Sequence, residues 1–496
     1  MEKDKLVNLH NYLANISPLR DLLILKEKFP VEIFVVGGFI RDFILERMES
    51  KEMIEIDFAI NREVDKFVHL FAQQEKGHLV LLDEENKTFR VILEKDNLYQ
   101  FDFSQFRSAN IEGDLYARDF TINALAIDLE GVRNQKFLKL IDPTDGFKDI
   151  ERKVIRVVSP YSFQEDPLRI IRAFTFSQEL GFAIEPLTEN LAKENAQRLS
   201  EVAGERLTEQ LFRILEGKFS YKTINRMDAL GILEIIFPMI KEMRGIEQGP
   251  YHHLDVWKHS LETLKELEIL LCGSTIPAPV DKKIGDYLNE KIAGVRTRLF
   301  TVKLAALFHD LGKPRTKEIT PEGKVRFLGH EKIGADLSLE IVERLKLSSH
   351  EKNILTKLIQ LHLRPGYLVE TKDVSPRAKL RFFRAGEEES VALILIALAD
   401  KFATRGPLTF LEDHQEFREY LLHLLQVYFY EKELVKPPRL LNGNEIMQIL
   451  SIPPGPLVGK ILKCLEEAQV EKKIGNKKEA EEFVKEIFKK GLTGSE

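Results

Sequence analysis

Hydrophobic and polar positions along this chain change their period once. Before about residue 158, short runs alternate with period two: Val31–Val36, Ile54–Ile60, Leu79–Leu82, Phe89–Leu93, Tyr99–Phe103, Ala124–Leu129 and Val154–Val158. That is the pattern of strands with one face buried. From there to the end, apolar residues recur at three- and four-residue spacing. The spacing predicts a helix opened by Pro167 and another over Glu205–Leu215. The polar stretch Gly273–Asp286 reads as a loop or insertion, and Lys436-Pro-Pro-Arg439 and Ile452-Pro-Pro-Gly-Pro456 are further breaks. From Val470 to Lys490 lysine and glutamate mix closely, as on a solvated helix face. The fold class expected is α+β, a mixed-sheet head followed by an elongated all-helical body.

Composition adds bounds. A chain of 496 residues exceeds what one core serves, so two or more domains are expected. With 44% hydrophobic and 31% charged residues it is an ordinary globular composition. Net charge is −6, so nucleic-acid binding would need local basic patches. Two distant cysteines, Cys272 and Cys464, exclude a disulfide scaffold and a thiolate zinc site. No apolar segment marks a signal peptide at the N-terminus, and the longest apolar run, Val391–Ala399, is too short to span a bilayer. A cytoplasmic protein without a membrane partner is expected.

In the strand Ile54–Ile60 the even positions are apolar, so Glu55 and Asp57 project together from the other face. Two carboxylates at i and i+2 can bridge Mg2+ ions, which take oxygen ligands and substrate phosphates. Asp102, on the alternating strand Tyr99–Phe103, offers a third acid. Gly37 and Gly38 follow a strand and open a helix, where backbone can approach a phosphate and the helix start favours anions. Taken singly, an acid pair on a strand is most often solvent-facing polarity and a Gly-Gly a mere turn.

Their order along the chain is more specific. Gly37-Gly38-Phe-Ile-Arg41-Asp42 is followed by Arg118-Asp119-Phe-Thr-Ile-Asn123-Ala, Asp142-Pro-Thr-Asp-Gly146, Glu165-Asp166-Pro-Leu-Arg169-Ile-Ile-Arg172-Ala and Val202-Ala-Gly-Glu-Arg206. In this set the chain resembles the class II tRNA nucleotidyltransferase/poly(A) polymerase family of the polymerase β superfamily. The resemblance implies a polymerase β-like head with Glu55, Asp57 and Asp102 as catalytic Mg2+ ligands. It implies that Gly37, Gly38, Arg41 and Asp42 meet the triphosphate, and that Arg118, Asp119 and Asn123 position the nucleotide. Glu165, Asp166 and Arg169, with Arg172 nearby, would form a protein template for the base, an Asp acceptor and an Arg donor on one helix face. The implied activity is template-independent addition of C, and of A, to the tRNA 3′ end from CTP and ATP. Two departures stand out. Glu55 replaces the usual aspartate, and only Ser108–Leu115 separates the third-acid strand from Arg118. Members that add all of CCA usually carry a longer flexible loop there, and the short connection resembles CC-adding members.

A second constellation follows. His259 lies upstream of His309-Asp310, and Asp400 ends an apolar helical stretch where a lone carboxylate is costly. This set resembles the HD phosphohydrolase superfamily, which implies a divalent metal, a transition metal or Mg2+, with His330 and His362 as additional ligands. Phosphoester hydrolysis, for instance of 2′,3′-cyclic phosphates at RNA ends, is a further activity open to such a site. His252, His253 and His350 are assigned no role. The segment from Leu440 onward resembles the family's C-terminal helical region and implies docking of the tRNA stem. The domain reading is a head over 1–158, a neck over 159–245, an HD domain over 246–405 and a tail over 406–496. Alternatives are a poly(A) polymerase, or an HD phosphohydrolase whose head binds RNA.

Overall fold

The computed structural model describes residues 2–48, 53–84, 87–134, 138–371 and 374–490. It forms two compact units, Met1–Gln210 and Leu211–Glu496.

The first unit is organised by one seven-stranded sheet in the order β3-β4-β5-β2-β1-β6-β7. The strands are β1 (Ile33–Val36), β2 (Met53–Ile60), β3 (His78–Asp83), β4 (Thr88–Glu94), β5 (Leu98–Gln105), β6 (Ala126–Asp128) and β7 (Leu140–Ile141). Strand β1 is buried along its whole length, as its Ile-Phe-Val-Val sequence requires. In β2 the inward residues Ile56, Phe58 and Ile60 are buried while Glu55 and Asp57 stay exposed. Phe58 packs between Phe101 and Phe103 of β5 at ring-centroid distances of 5.2 and 4.8 Å. Burying each such ring contributes roughly 1.5–3 kcal/mol. Strands β2 and β5 run parallel, with Asp57 opposite Asp102. A parallel pair needs a crossover, here the helix α2 (Val64–Glu75) and the β3–β4 hairpin. The short helix α1 (Gly38–Ile44) joins β1 to β2.

Several boundaries differ from the sequence reading. Ala124–Leu129 shortens to β6, because Thr121–Asn123 takes a 3-10 turn. Val154–Val158 contributes only Val154–Ile155, which pairs with Ala183–Ile184 in a separate two-stranded sheet. The helix after Pro167 is α3 (Leu168–Leu180), with Pro167 as its N-cap. Residue 166 therefore precedes the helix.

Among its described residues the second unit has helices and two small hairpins, Lys291–Ala293 with Arg296–Thr297 and Lys317–Ile319 with Val325–Phe327. Its framework includes α4 (Val256–Cys272), α5 (Arg298–Phe308), α6 (His330–Arg344), α7 (Ser349–Leu361) and α8 (Ser390–Ala403). Gly273–Asp286 is not all loop, since Val280–Leu288 is helical with Val280, Ile284 and Leu288 buried. The Lys/Glu-rich end is likewise more than a solvated face: in the helix Lys477–Lys489, Ala480 and Val484 enter a core with Ile446, Ile461 and Leu465. The charged residues there cover one side of an amphipathic helix. No helix among the described residues is long and apolar enough to cross a membrane.

Candidate functional site

Two sites emerge, one in each unit. The first is a cleft of about 220 Å³ over the sheet, lined among others by Gly38, Arg41, Glu55, Asp57, Arg90 and Asp102. Gly37 has φ +75°, and a Cβ there would come 3.2 Å from Arg118 and 3.3 Å from the Asp57 carboxylate. A side chain at 37 would thus be strained in backbone and crowded by both site residues. Helix α1 is barely two turns long, so close backbone approach at Gly37-Gly38, more than a helix dipole, is what this corner offers a phosphate.

Behind the glycines runs a chain of charge-assisted hydrogen bonds. Arg41 donates to Asp42 from Nε and Nη2 at 2.9 and 2.8 Å, and to Asn123 Oδ1 from Nη1 at 2.5 Å. Asn123 donates to Asp119 at 3.1 Å, and Arg172 grips the other Asp119 oxygen at 2.9 and 2.6 Å. The guanidinium groups of Arg41 and Arg172 each lie over the Phe176 ring, 5.1 Å from its centroid. Burial pushes the Asp119 carboxyl up, but Arg172, Asn123 and the Phe120 amide outweigh it and hold the group down at about 2. Arg118 pairs with buried Asp114 at 3.0 Å, and Asp114 also accepts from the Arg107 amide at 3.0 Å. The short connection before Arg118 is therefore a folded, pinned segment. Its helix Ile111–Tyr116 sinks Ile111 and Leu115 into the core.

Glu55 and Asp57 behave differently. Both face the cleft, and among the described residues neither accepts a hydrogen bond. Crowding by protein atoms, then the Asp102 charge, pushes the Asp57 carboxyl up to about 6, with Glu55 adding to the rise and Arg118 and Arg41 opposing it. A solvent-open carboxylate held that high is short of positive charge, which suits a cation bound by oxygen ligands. Asp102 lies beside Asp57, but both its oxygens are taken by Arg90 at 2.8 Å.

The expected template residues are close together but not arranged as expected. Asp166 sits before α3 in extended conformation, accepting from the Leu168 amide at 3.1 Å and from Arg206 at 2.8 Å. Arg169, in the first turn, reaches Glu165 at 2.9 Å and the Ala117 carbonyl at 2.9 Å. They do not share one helix face, because Pro167 places the helix start between them.

The second site gathers residues from five helices or their ends. His259 comes from α4, His309 and Asp310 follow α5, His330 opens α6, His362 follows α7 and Asp400 lies in α8. His259, His309 and Asp310 form one metal-competent group, and Asp310, His330 and His362 a second that shares Asp310. His259 Nε2 is 2.8 Å from Asp400, and His309 Nε2 is 3.2 Å from Asp310. His330 Nε2 is 3.3 Å from the other Asp310 oxygen and 3.2 Å from His362 Nε2. His309, His330 and His362 each direct Nδ1 at a backbone carbonyl, of Ala306, Phe327 and Ile359, at 2.7–2.9 Å. With Nδ1–H donating there, Nε2 carries the lone pair and faces inward, the orientation metal-binding histidines need. His309 Nε2 is buried without a hydrogen bond. Lys313 brings its ammonium 2.6 Å from Asp310 and donates to Gln248 at 2.7 Å. Burial works against the Asp310 charge, yet His309 and Lys313 hold its carboxyl well below the usual range. Buried donors of this kind suit a divalent metal.

Known proteins are similar to this chain along most of its length. Residues 33–156 fit the poly A polymerase head domain, and 181–244 the probable RNA and SrmB-binding site of polymerase A. Residues 256–405 fit the HD domain, and 407–484 a putative second domain of tRNA nucleotidyltransferases. An A-adding tRNA nucleotidyltransferase of Deinococcus radiodurans is 32% identical over 92% of this chain and 95% of its own length. The chain belongs to the tRNA nucleotidyltransferase family. A CC-adding tRNA nucleotidyltransferase of Thermus thermophilus is 28% identical over 92% of the chain and 93% of its own. Among solved structures, a CCA-adding enzyme in complex with CTP superposes with a TM-score of 0.65 over 99% of both chains at 22% identity. The Thermotoga maritima CCA-adding enzyme with tRNA gives 0.61 over 94% and 93% at 24% identity. Those structural likenesses concern the fold.

Within this family member, sequence reasoning did not single out Arg90, Lys313 or Gln248, and it named Arg206 only as part of a motif. Arg90 had one available signal, as a charged residue inside the alternating strand Phe89–Leu93. Lys313 had another, one turn after His309-Asp310. Arg206 and Gln248 meet their partners only through tertiary structure.

Proposed function

We propose that the chain extends the 3′ end of tRNA from CTP or ATP. The terminal 3′ hydroxyl attacks the nucleotide α-phosphate, a new phosphodiester forms, and pyrophosphate leaves with the electron pair of the broken α–β bond. The observation that carries this reading is the pair Glu55 and Asp57, open to the cleft beside Gly37, Gly38 and Arg41. Glu55 and Asp57 would hold Mg2+, which stabilises the charge on attacking and leaving oxygens when bound. Gly37 and Gly38 admit the triphosphate to the backbone. Arg41 is pre-set by Asp42 and Asn123 to face it, and Arg118 is steadied by Asp114. Asp119, Asn123 and Arg172 hold the wall against which the nucleotide rests. Glu165, Asp166 and Arg169 offer acceptors and donors to the base, with Arg206 fixing Asp166.

The pinned connection at 107–118 favours CC addition, since no long loop is present there to remodel the site for ATP. The 32% identity to an A-adding relative favours terminal A addition. Two tRNA transcripts, one ending before CCA and one after CC, incubated separately with CTP and ATP, decide between them. Extension of the first by CTP alone supports CC addition, and extension of the second by ATP supports A addition. Long products from ATP alone would mark a poly(A) polymerase, and no extension of either overturns the reading.

The HD residues His259, His309, Asp310 and Asp400 would hold a divalent transition metal, with His330 and His362 completing a second position around Asp310. Such a centre, when bound, would supply an activated water for phosphoester hydrolysis. The four-part division into head, neck, HD domain and tail belongs to this proposal, with the tail docking the tRNA stem. So does a cytoplasmic location, in keeping with two free cysteines.

A further inference from the structure

The three acids of the head are not equivalent. Asp102 stands in a row across the sheet, with Asp57 opposite on one side and Arg90 opposite on the other. Arg90 uses its fork fully, Nε to Oδ1 and Nη2 to Oδ2, both at 2.8 Å. The side chains are 33% and 19% exposed, so this pair is better shielded than an ordinary surface ion pair. Gln100 points to the same guanidinium. With its amide oxygen turned toward Arg90 it accepts from Nη2 at 2.9 Å and from Nε at 3.2 Å. The fork is thus held from two sides, while Glu55 and Asp57 keep their lone pairs free.

Mg2+ binds at about 2.0–2.1 Å with strict octahedral geometry. Bidentate pairing occupies one lone pair on each Asp102 oxygen, and an ion approaching a remaining pair meets the fixed positive charge of Arg90. We propose that Arg90 is a positioning residue that withholds Asp102 from the head's metal ions, leaving Glu55 and Asp57 as the carboxylate ligands. This rests on the reading of the cleft as a metal-dependent nucleotidyl-transfer site. Asp102 then acts through Arg90, balancing its charge and keeping it at the cleft edge.

The test is Mn2+ binding to the full-length protein, followed by the electron paramagnetic resonance of free Mn2+. Head binding is the part lost in Asp57→Asn, which separates it from the HD centre. Arg90→Met should free Asp102, remove a repelling charge and tighten head binding by about threefold or more. The double variant Arg90→Met/Asp102→Asn removes a neutral pair and should return to within about twofold of the parent. A double variant weaker by about tenfold would show Asp102 to be a ligand in the parent and overturn the proposal. So would an Arg90→Met that binds no more tightly. If Arg90→Met fails to fold, Arg90→Gln, which removes the charge but keeps a polar side chain, is read the same way. If Asp57→Asn removes no Mn2+ binding, the nucleotidyl-transfer reading itself fails and the proposal falls with it.

Discussion

The two acid-bearing sites of this protein carry opposite electrostatics. In the head, Asp57 is pushed up to about 6, because crowding and the neighbouring Asp102 outweigh the arginines nearby. In the HD centre, burial is heavier, yet Asp310 and Asp400 are held well below the usual carboxylate range by His259, His309 and Lys313. The difference lies in where the positive charge comes from. The HD centre builds it in, with the Lys313 ammonium 2.6 Å from Asp310 and, while no metal takes its Nε2 lone pair, a His309 imidazole whose proton Asp310 and Asp400 favour. The head leaves Glu55 and Asp57 unpaired and lends its arginines to other acids: Arg41 to Asp42, Arg118 to Asp114, Arg90 to Asp102. A site that must accept a metal with each nucleotide is served by oxygen ligands short of a cation, and a resident metal by buried nitrogen donors.

The hardest blow to this contrast is Asp57→Ala. It should lower nucleotide incorporation by on the order of a thousandfold, since it removes several kcal/mol of metal-mediated charge stabilisation. Metal retained by the protein after dialysis, measured by elemental analysis, should not change, because that metal belongs to the other unit. A mutant that lost both would show the two sites to be coupled. Conversely, His309→Ala should reduce the retained metal by about tenfold or more in affinity while tRNA extension proceeds at the parental rate.

A smaller effect is expected where the head spends an arginine on structure. Arg172→Met leaves Asp119 buried without its partner and should destabilise the first unit by about 3 kcal/mol at pH 7, measured as a shift in urea unfolding. Asp119 is held at about 2, below its unfolded value. Its contribution is present above pH 4 and is lost as pH falls through the folded value. The mutant and the parent should therefore converge toward pH 2–3. A gap that persists at that pH would place the effect in packing against Phe176 instead of in the ion pair.

What could be seen in the sequence follows from the range of the forces involved. Strand alternation placed Glu55 and Asp57 on one sheet face and offered Asp102 on another strand, and the register sets Asp57 opposite Asp102. Period alone also separated the sheet-bearing part from the helical one. It misjudged the stretch Gly273–Asp286, where Val280 and Ile284 are too few to show a helical stripe before burial is known. The family resemblance suggested Asp166 and Arg169 on one helix face, although Pro167 moves the helix start past Asp166. The partner of each charged group was the least legible feature. Whether Asp102 faces a metal or Arg90 depends on the β4–β5 register, and whether Asp166 meets Arg169 or Arg206 depends on a contact forty positions away.

The finest prediction concerns Asp57 alone, in protein freed of metal. Its folded carboxyl value near 6 lies above the unfolded value of about 3.9, so the native state binds the proton more tightly. Stability from this group is full below pH 4 and declines as pH rises to 6, after which the penalty is constant. Asp57→Asn removes the repulsion from Asp102 and Glu55. It should match the parent near pH 4 and exceed it in thermal stability at pH 8. The gain should stay under about 1 kcal/mol, because the carboxylate faces solvent and its interactions are screened. Adding Mg2+ at pH 8 should reverse the order, since only the parent then gains a ligand for the cation. The same experiment at Asp310 should go the other way, with Asp310→Asn losing stability at pH 8 without metal, because there the protein supplies the positive charge itself.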